Sequence, residues 1–237
     1  MAIAILADIH SNLEALEAVL KDMETKGGAE GVWCLGDIVG YGPDPHLCIE
    51  RLRALDPLCV AGNHDWAAIG DIDLATFNPH AAAAARWTAA QLTPEDAEYL
   101  RGLLTIREAG AFTLVHGSPR EPVWEYILGL EEARENFSHF STPYCLVGHS
   151  HLPIVFGEDG KARSLPERLQ LGKERLIINP GGVGQPRDGD SRASYAIYDG
   201  KAVIQHIRVR YDFSVTQKKM AERGLPPALA QRLSYGW

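Results

Sequence analysis

The feature that most constrains the fold of this chain is a repeated pattern, in which a short apolar run ends at a cluster of polar residues. The first run extends from Ala2 to Ala7 without interruption and leads into Asp8-Ile9-His10. Short continuous apolar runs are typical of strands that are buried on both faces. Alternate residues that leave a strand point the same way, so the side chains of Asp8 and His10 can converge on one point.

The pattern recurs four more times along the chain. Later apolar runs are followed at once by Gly36-Asp37, by Gly62-Asn63-His64-Asp65, by His116 and by Gly148-His149-Ser150-His151. Helices are predicted between the first three runs, with Ser11 and Asp44 as their N-caps. Strands that alternate with helices predict a βαβαβ start and a partly parallel sheet. Ligands bind at the carboxyl edge of such sheets, so we expect the polar clusters to meet there.

The second half of the chain is richer in strand-like segments. A hairpin is predicted over residues 105–115, turning at Gly110, because two apolar runs flank that glycine. Further strands are predicted over residues 154–156, 175–178, 193–198 and 201–209. The predicted fold class is therefore α/β, with two mixed β-sheets packed face to face as a β-sandwich and helices outside.

The chain is predicted to form a single domain over residues 1–237, with a helical insertion at about residues 66–104. Within the insertion, Asn78-Pro79 and Thr93-Pro94 each have the residues that begin a helix. Segments inserted in this way often form the wall of a cleft, so we expect this one to lie beside the site.

The net charge of −8 limits the classes of function. An acidic chain is not expected to bind nucleic acid or an anionic membrane broadly. There is no apolar run of about 18 residues and no basic leader, so neither a spanning helix nor a secretory signal is predicted. The four cysteines show no C-x-x-C spacing, which predicts reduced thiols in a cytoplasmic protein. The sequence leaves a homo-oligomer open.

The polar residues that follow the apolar runs have the chemistry of metal ligands, and five of the nine histidines belong to the set. Its members are Asp8, His10, Asp37, Asn63, His64, His116, His149 and His151. Oxygen and imidazole donors without a thiolate suit Mn, Fe or Zn. The set is too large for one ion and about right for two, and two metals ~3.5–4 Å apart can clamp a phosphoryl group. The alternative is that these histidines are structural.

The five motifs, in this order, resemble those of the calcineurin-like metallophosphoesterases, and especially of their small single-domain bacterial and archaeal members. The stretch from Asn179 to Arg187 also resembles a late loop of that family. The resemblance implies a four-layer αββα fold. It also implies hydrolysis of phosphate esters by attack of a metal-bridging hydroxide.

The resemblance further implies a role for each residue. Metal one would be held by Asp8, His10, Asp37 and His151. Metal two would be held by Asp37, Asn63, His116 and His149, with Asp37 bridging the two ions. His64 would bind no metal; it would contact the phosphate and assist the leaving oxygen as a general acid. The expected cofactors are two divalent ions (Mn, Fe or Zn), with Mn favoured for activity.

One motif departs from the pattern of two family branches. Protein Ser/Thr phosphatases and symmetrically cleaving diadenosine tetraphosphatases have Gly-Asp-x-x-Asp-Arg-Gly, where this chain has Gly36-Asp37-Ile38-Val39-Gly40-Tyr41-Gly42. The acid that would orient the catalytic histidine and the arginine that would grip phosphate are both missing. This disfavours those two substrate classes and leaves the orientation of His64 open.

Four further residues are candidates for contact with the substrate. Arg187 lies in a Gly/Pro-rich loop, and a guanidinium matches the geometry of a phosphate group. The others are Asn12, Tyr41 and His80, which border the metal motifs or lie in the insertion.

The predicted function is a dinuclear metal-dependent phosphoesterase, acting as a phosphodiesterase or a phosphatase on small esters. A non-catalytic metal-binding scaffold of the same fold is one alternative. A nuclease is another, which the acidic charge disfavours. The expected partner is a small phosphate ester, whereas neither a membrane nor a nucleic acid is expected.

Overall fold

Two six-stranded mixed sheets form the centre of the structure, a computed structural model that describes residues 2–237. The strands are β1 (Ile3–Leu6), β2 (Gly31–Cys34), β3 (Leu58–Cys59), β4 (Ile106–Ala109), β5 (Phe112–Val115), β6 (Tyr144–Leu146), β7 (Pro153–Gly157), β8 (Ala162–Ser164), β9 (Arg168–Gln170), β10 (Leu176–Pro180), β11 (Ala193–Tyr198) and β12 (Val203–Val209). The helices are α1 (Leu13–Thr25), α2 (Pro45–Arg53), α3 (Asn63–Ala68), α4 (Pro79–Ala89), α5 (Pro94–Arg101), α6 (Leu130–Asn136), α7 (Phe213–Glu222) and α8 (Pro227–Arg232), with a short 3-10 helix at Leu74–Thr76.

The strand order matches the predicted fold class. The first sheet runs β3-β2-β1-β11-β12-β9 and the second runs β4-β5-β6-β10-β7-β8. Strands β1, β2 and β3 are parallel, with α1 and α2 as crossovers, which confirms the βαβαβ start. The predicted hairpin is β4–β5, and it turns at Gly110 with a φ of 57°.

Strand β1 shows why its sequence has no polar residue. Ile5 packs between the two sheets, in a cluster that includes Leu114 of β5. Leu6 faces the other way and packs with Leu16 of α1. Because alternate side chains are buried on opposite faces, the strand is apolar throughout. This strand therefore lies at the centre of the fold, and its carboxyl end opens between the two sheets.

Helices cover the outer face of each sheet. Helices α1 and α2 cover the first sheet, where Leu16 and Ile49 join one apolar cluster with residues of β1. Helix α6 covers the second sheet through Ala133, which packs with Cys145 and Ile177. The order helix, sheet, sheet, helix confirms the expected four layers. Helices α7 and α8 form a further cluster with α4, in which Met220, Leu229 and Ala84 surround Tyr41.

The predicted N-cap of α1 was wrong. Its N-cap is Asn12, whose side-chain oxygen accepts from the amide of Ala15 at 3.2 Å. Both His10 and Ser11 have left-handed backbone conformations, with φ values of 48° and 53°. The amide of Ser11 also bonds to the carbonyl of Ile38 at 3.0 Å. These loop contacts delay the start of the helix by one residue.

Asp44 is the N-cap of α2, as predicted, and Pro45 is its first residue, but the side chain of Asp44 makes no capping hydrogen bond. Its carboxylate pairs instead with Lys219 at 2.8 Å and with Arg223 at 2.9 Å. These two cations lie at the end of α7 and just beyond it, so the partner of Asp44 comes from a remote part of the chain.

The helices predicted for the inserted segment begin at the expected residues. Asn78 caps α4, and Thr93 caps α5 in a capping box with Asp96. The assignment of residues 66–104 to an insertion within one domain stays a prediction. Among residues 2–237, no helix combines the length and the apolar character needed to cross a membrane.

Candidate metal centre

The loops that follow the strands bring the predicted ligands to one place, at the carboxyl ends of β1, β2, β3, β5 and β6. Backbone hydrogen bonds join the first two loops: the amide of Asp8 donates to the carbonyl of Gly36 at 3.1 Å, and the amide of His10 to that of Asp37 at 2.9 Å. Five of the predicted ligands have left-handed φ values between 48° and 64°. They are Asp8, His10, Asp37, His149 and His151. Strained backbone of this kind is concentrated at functional sites.

Six of the side chains form two groups of three, and within each group the ligand atoms lie within 4.8 Å of one another. One group is Asp8, His10 and His151, and the other is Asp37, His116 and His149. All six side chains are buried. Each group offers one carboxylate and two imidazoles, the donor set expected for a transition-metal ion.

Asp37 lies between the two groups. Its Oδ2 atom is 3.5 Å from Nε2 of His10 and 3.3 Å from Nε2 of His116. Its Oδ1 atom accepts a hydrogen bond of 2.9 Å from the amide of His64. Asn63 adds its side-chain oxygen to the second group, 3.3 Å from Nε2 of His116. The Oδ2 atom of Asp37 therefore lies within reach of both groups, and the side-chain oxygen of Asn63 lies beside the second.

The outer nitrogen of each of the four histidines faces a backbone carbonyl. The pairs are His10 Nδ1 with Val39 at 3.1 Å, His116 Nδ1 with Leu35 at 2.8 Å, His149 Nε2 with Trp124 at 3.2 Å, and His151 Nδ1 with Gln185 at 2.5 Å. A carbonyl only accepts hydrogen bonds, so the outer nitrogen must carry the proton. The inner nitrogens thus point their lone pairs into the centre, as metal-ligating histidines do.

Burial lowers the pKa of His10, His149 and His151, which favours the neutral imidazole that a metal needs. The Nε2 atoms of His10 and His151 are 3.1 Å apart, and two lone pairs at this distance repel unless a cation lies beside them. For His116, burial also disfavours the charge, but the carboxylate of Asp37 outweighs it and raises the pKa to about 9. A proton and a metal ion would therefore compete for Nε2 of His116.

Like the close approach of the His10 and His151 nitrogens, the surroundings of Asp8 show whether a cation fits the site. Its Oδ1 atom accepts from the amide of His149 at 3.0 Å. Its Oδ2 atom is buried and finds no hydrogen-bond partner within residues 2–237. Burial raises the pKa of Asp8 to about 7, because the one hydrogen bond from His149 does not offset the loss of water around the charge. A divalent cation would satisfy this oxygen, so the donor set fits a pair of metal ions.

His64 is oriented by packing rather than by a carboxylate. Its ring lies 4.3 Å from the ring of Tyr41, 4.9 Å from that of His10 and 5.0 Å from that of Phe77. Its Nδ1 atom is buried and has no hydrogen-bond partner in the described part of the chain. A Cβ atom built on Gly40, which has a φ of 90°, would lie 2.6 Å from that nitrogen. Glycine at position 40 therefore makes room for the imidazole.

Asp65 does not orient His64, although it is the next residue. Its two carboxylate oxygens accept from the amides of Val39 and Gly62, each at 3.0 Å. Asp65 thus ties the loop after β2 to the loop after β3. Burial raises its pKa to about 7.

Arg187 lies beside the centre. Its guanidinium carbon is 5.9 Å from the centroid of the Tyr41 ring, and one terminal nitrogen donates to the side chain of Gln185 at 3.1 Å. Its Nε atom is buried without a partner in residues 2–237. Burial is the main cause of the lowered pKa of His151, and the positive charge of Arg187 lowers it further. Arg232 of α8 is close enough that its own pKa is lowered by burial and by the charge of Arg187.

The other three substrate candidates lie in different settings. Tyr41 is buried against His10 and His64. Asn12 is also buried, and its side chain bonds to Gly184, Tyr211, Ala15 and Thr216. His80 is exposed in the first turn of α4. The structure brings Tyr41 and Arg187 to the centre, whereas the amide of Asn12 is engaged by the protein itself.

Two residues beside the centre carry no sequence motif. Phe77 contacts the ring of His64, and Tyr126 stacks on the ring of His149 with centroids 3.7 Å apart. Neither residue follows a strand or shows a ligand spacing, so no pattern in the sequence marks them.

Comparison with known proteins agrees with this geometry. Residues 1–202 match the family model described as the calcineurin-like phosphoesterase superfamily domain. The chain is 39% identical over 241 residues to an uncharacterised protein of Methanocaldococcus jannaschii, covering 99% of this chain and 98% of that protein. It is 48% identical to a metallophosphoesterase from Sphaerobacter thermophilus, whose crystal structure superposes with a TM-score of 0.92 over 100% of this chain and 99% of that one. A hypothetical protein from Pyrococcus horikoshii shares the fold, with 22% identity and a TM-score of 0.79 over 100% and 98% of the two chains.

Proposed function

The chain belongs to the calcineurin-like phosphoesterase superfamily, and from this membership we propose that it is a two-metal hydrolase of small phosphate esters. Phosphodiesters are the favoured substrates and phosphomonoesters the alternative. The observation that carries the proposal is the position of Asp37, whose Oδ2 atom lies 3.5 Å and 3.3 Å from a histidine nitrogen of each ligand group.

Each ion would have its own ligands in addition to the shared carboxylate. Asp8, His10 and His151 would hold the first ion, and Asn63, His116 and His149 the second. A pair of divalent ions supplies Lewis acidity and an activated water for attack on phosphorus. The donors suit Mn, Fe or Zn, and we favour Mn for activity.

His64 would protonate the leaving oxygen of the substrate. Its Nδ1 atom faces Gly40, which leaves Nε2 as the nitrogen that can reach a bound ester. Contacts with Tyr41 and Phe77 hold the ring in this orientation. A general acid needs a fixed position within hydrogen-bond reach of the oxygen that it protonates.

Arg187 would bind the non-bridging oxygens of the phosphate group. Among the described residues, Arg187 forms no ion pair, and its buried Nε has no hydrogen-bond partner, although one terminal nitrogen donates to Gln185. Its charge and its Nε are therefore available to an anion. The fork of a guanidinium matches two phosphate oxygens. This side chain would thus replace the arginine that is missing after Gly36-Asp37.

A cytoplasmic location is also part of the proposal. All four cysteines are free and buried, as expected in a reducing compartment.

The test is hydrolysis of matched nitrophenyl monoesters and diesters by chelator-stripped protein. Mn, Fe, Zn, Mg and Ca are added back one at a time, and bound metal is counted in each sample. We expect activity with one or more transition metals, and its loss in His64→Ala with both ions retained. Higher activity on the diester would identify a phosphodiesterase, and higher activity on the monoester a phosphatase.

Protein that binds two ions and hydrolyses neither ester would contradict the proposal and support a metal-binding scaffold. Cleavage of oligonucleotides in preference to both small esters would support a nuclease.

A further inference from the structure

A line of aromatic rings borders the centre on the side of His64 and His149. Phe77, which follows the 3-10 helix, lies edge-on to His64 at 5.0 Å and to Trp124 at 5.5 Å. Tyr126 stacks on His149 at 3.7 Å, with 22° between the ring planes. We call Phe77, Trp124 and Tyr126 the aromatic wall. It extends from the proposed general acid to a proposed metal ligand.

Two rings of the aromatic wall are exposed, although aromatic side chains are usually buried, and Phe77 is half-buried. Trp124 is 39% exposed and Tyr126 is 42% exposed. The rings of Trp124 and Tyr126 therefore leave apolar surface exposed beside the centre.

The segment that carries Trp124 and Tyr126 is fixed in place. Glu125, between them, accepts hydrogen bonds from Ser118 at 2.6 Å and from Asn136 at 2.8 Å. Val123 and Ile127, on either side, are buried. The carbonyl of Trp124 accepts from Nε2 of His149 at 3.2 Å. Because side-chain and backbone contacts anchor the segment at each of these points, the two rings are held in a defined position.

From these contacts we propose that the aromatic wall selects substrates in which the phosphate carries a flat aromatic group, such as a nucleobase. This inference rests on the proposed function, since the phosphate would lie at the metal centre. A group attached to that phosphate must leave the centre along one of its borders, and this border offers ring faces and edges. Stacking on aromatic side chains favours flat rings of many kinds over saturated groups.

Small phosphonates can test the wall without hydrolysis, because their carbon–phosphorus bond is not an ester. Phenylphosphonate and methylphosphonate have the same anionic head and differ in the ring. Binding of each to metal-loaded protein is measured by calorimetry. We expect the phenyl compound to bind about tenfold more tightly or better, in line with the usual strength of stacking on an aromatic side chain.

Variants of Trp124 separate the ring from the fold. Trp124→Leu should bring the ratio of the two affinities close to one. The carbonyl that accepts from His149 belongs to the backbone and is retained in this variant. Trp124→Phe keeps a flat ring and should keep most of the ratio. Val215→Ala, which shortens an apolar side chain that is 40% exposed on α7, is the control and should leave the ratio unchanged.

Equal affinities for the two phosphonates in the wild type would overturn the inference. So would a ratio that persists in both Trp124→Leu and Tyr126→Leu. If the protein hydrolyses nitrophenyl esters yet shows equal affinities, the wall is refuted and the proposed function stands. If it discriminates between the phosphonates but hydrolyses no ester, the proposed function fails instead.

Discussion

The backbone amide of His149 donates a hydrogen bond of 3.0 Å to Oδ1 of Asp8. Asp8 follows a strand of the first sheet and His149 a strand of the second. One carboxylate therefore joins the two sheets at the centre while its other oxygen, Oδ2, is buried without a partner among residues 2–237. The structural part and the charged part of this side chain can be separated by substitution.

We expect Asp8→Asn to fold with nearly the stability of the wild type in the presence of chelator, because the amide oxygen can still accept from His149. Asp8→Ala removes the acceptor. The free energy of unfolding of Asp8→Ala should therefore be about 1–3 kcal/mol lower than that of Asp8→Asn. Both variants should bind the first metal ion much more weakly. Urea denaturation and metal titration measure the two effects. Equal stability of the two variants would show that the hydrogen bond is not important.

Gly40→Ala should displace His64 and lower kcat by about 100-fold, as misplacement of a catalytic group by about 1 Å can do. The new Cβ would lie 2.6 Å from Nδ1 of His64. Gly70→Ala is the matched control, because Gly70 has a similar φ of 81° but has nothing within 4 Å of its Cβ position. Both variants should retain two ions. Equal activities of the two variants would argue against a role for Gly40.

Asp65→Asn should lower the free energy of unfolding by about 1–3 kcal/mol, because an amide has one acceptor for the two backbone amides that Asp65 now satisfies. Those amides belong to Val39 and Gly62. Asp73→Asn is the control: Asp73 accepts one hydrogen bond at an exposed helix start, where asparagine serves as well. Urea denaturation measures the free energy of unfolding of both variants. An unchanged value for Asp65→Asn would contradict the prediction.

His206 should make the protein less stable as the pH falls. Its Nε2 lies 2.8 Å from Oγ of Ser194, whose own proton goes to the carbonyl of Pro180. Burial, followed by the charges of Arg208 and Arg192, lowers the pKa of His206 to about 4. The unfolded chain takes up a proton near pH 6.5 and the folded one near pH 4, so stability is lost between these values.

The variant His206→Gln should therefore lose less stability between pH 7 and pH 5 than the wild type does. The amide nitrogen of glutamine corresponds in position to Nε2 of histidine, so glutamine can still donate to Ser194 but does not titrate. All other groups are common to both proteins, so the difference between their unfolding free energies isolates His206. Parallel pH dependence in the two proteins would refute the assignment.

The centre could be predicted from the sequence because each ligand follows a buried strand. An apolar run such as that of β1 is a strong signal when alternate residues such as Ile5 and Leu6 are buried on opposite faces. The loops that follow parallel strands then lie together at the carboxyl edge of the sheet. The fold class and the family followed from these local patterns.

Other features depend on contacts between remote parts of the chain, and the sequence does not reveal them. Asp44 is the N-cap of α2, but its carboxylate makes no capping hydrogen bond because Lys219 and Arg223 engage it. Strands β8 and β9 were not predicted, because they are three residues long and mostly exposed, which leaves no apolar pattern. The packing of His64 against Tyr41 and Phe77 likewise joins segments with no shared motif.

The left-handed conformations at Asp8, His10, Asp37, His149 and His151 have an energetic consequence. Glycine adopts this conformation freely, whereas other residues do so at a cost of about 1 kcal/mol each. Glycine at these positions would avoid that cost but would remove the side chains of the two ligand groups, and at position 8 also the acceptor for the amide of His149. The fold thus gives up part of its stability to place a carboxylate or an imidazole at each of the five positions.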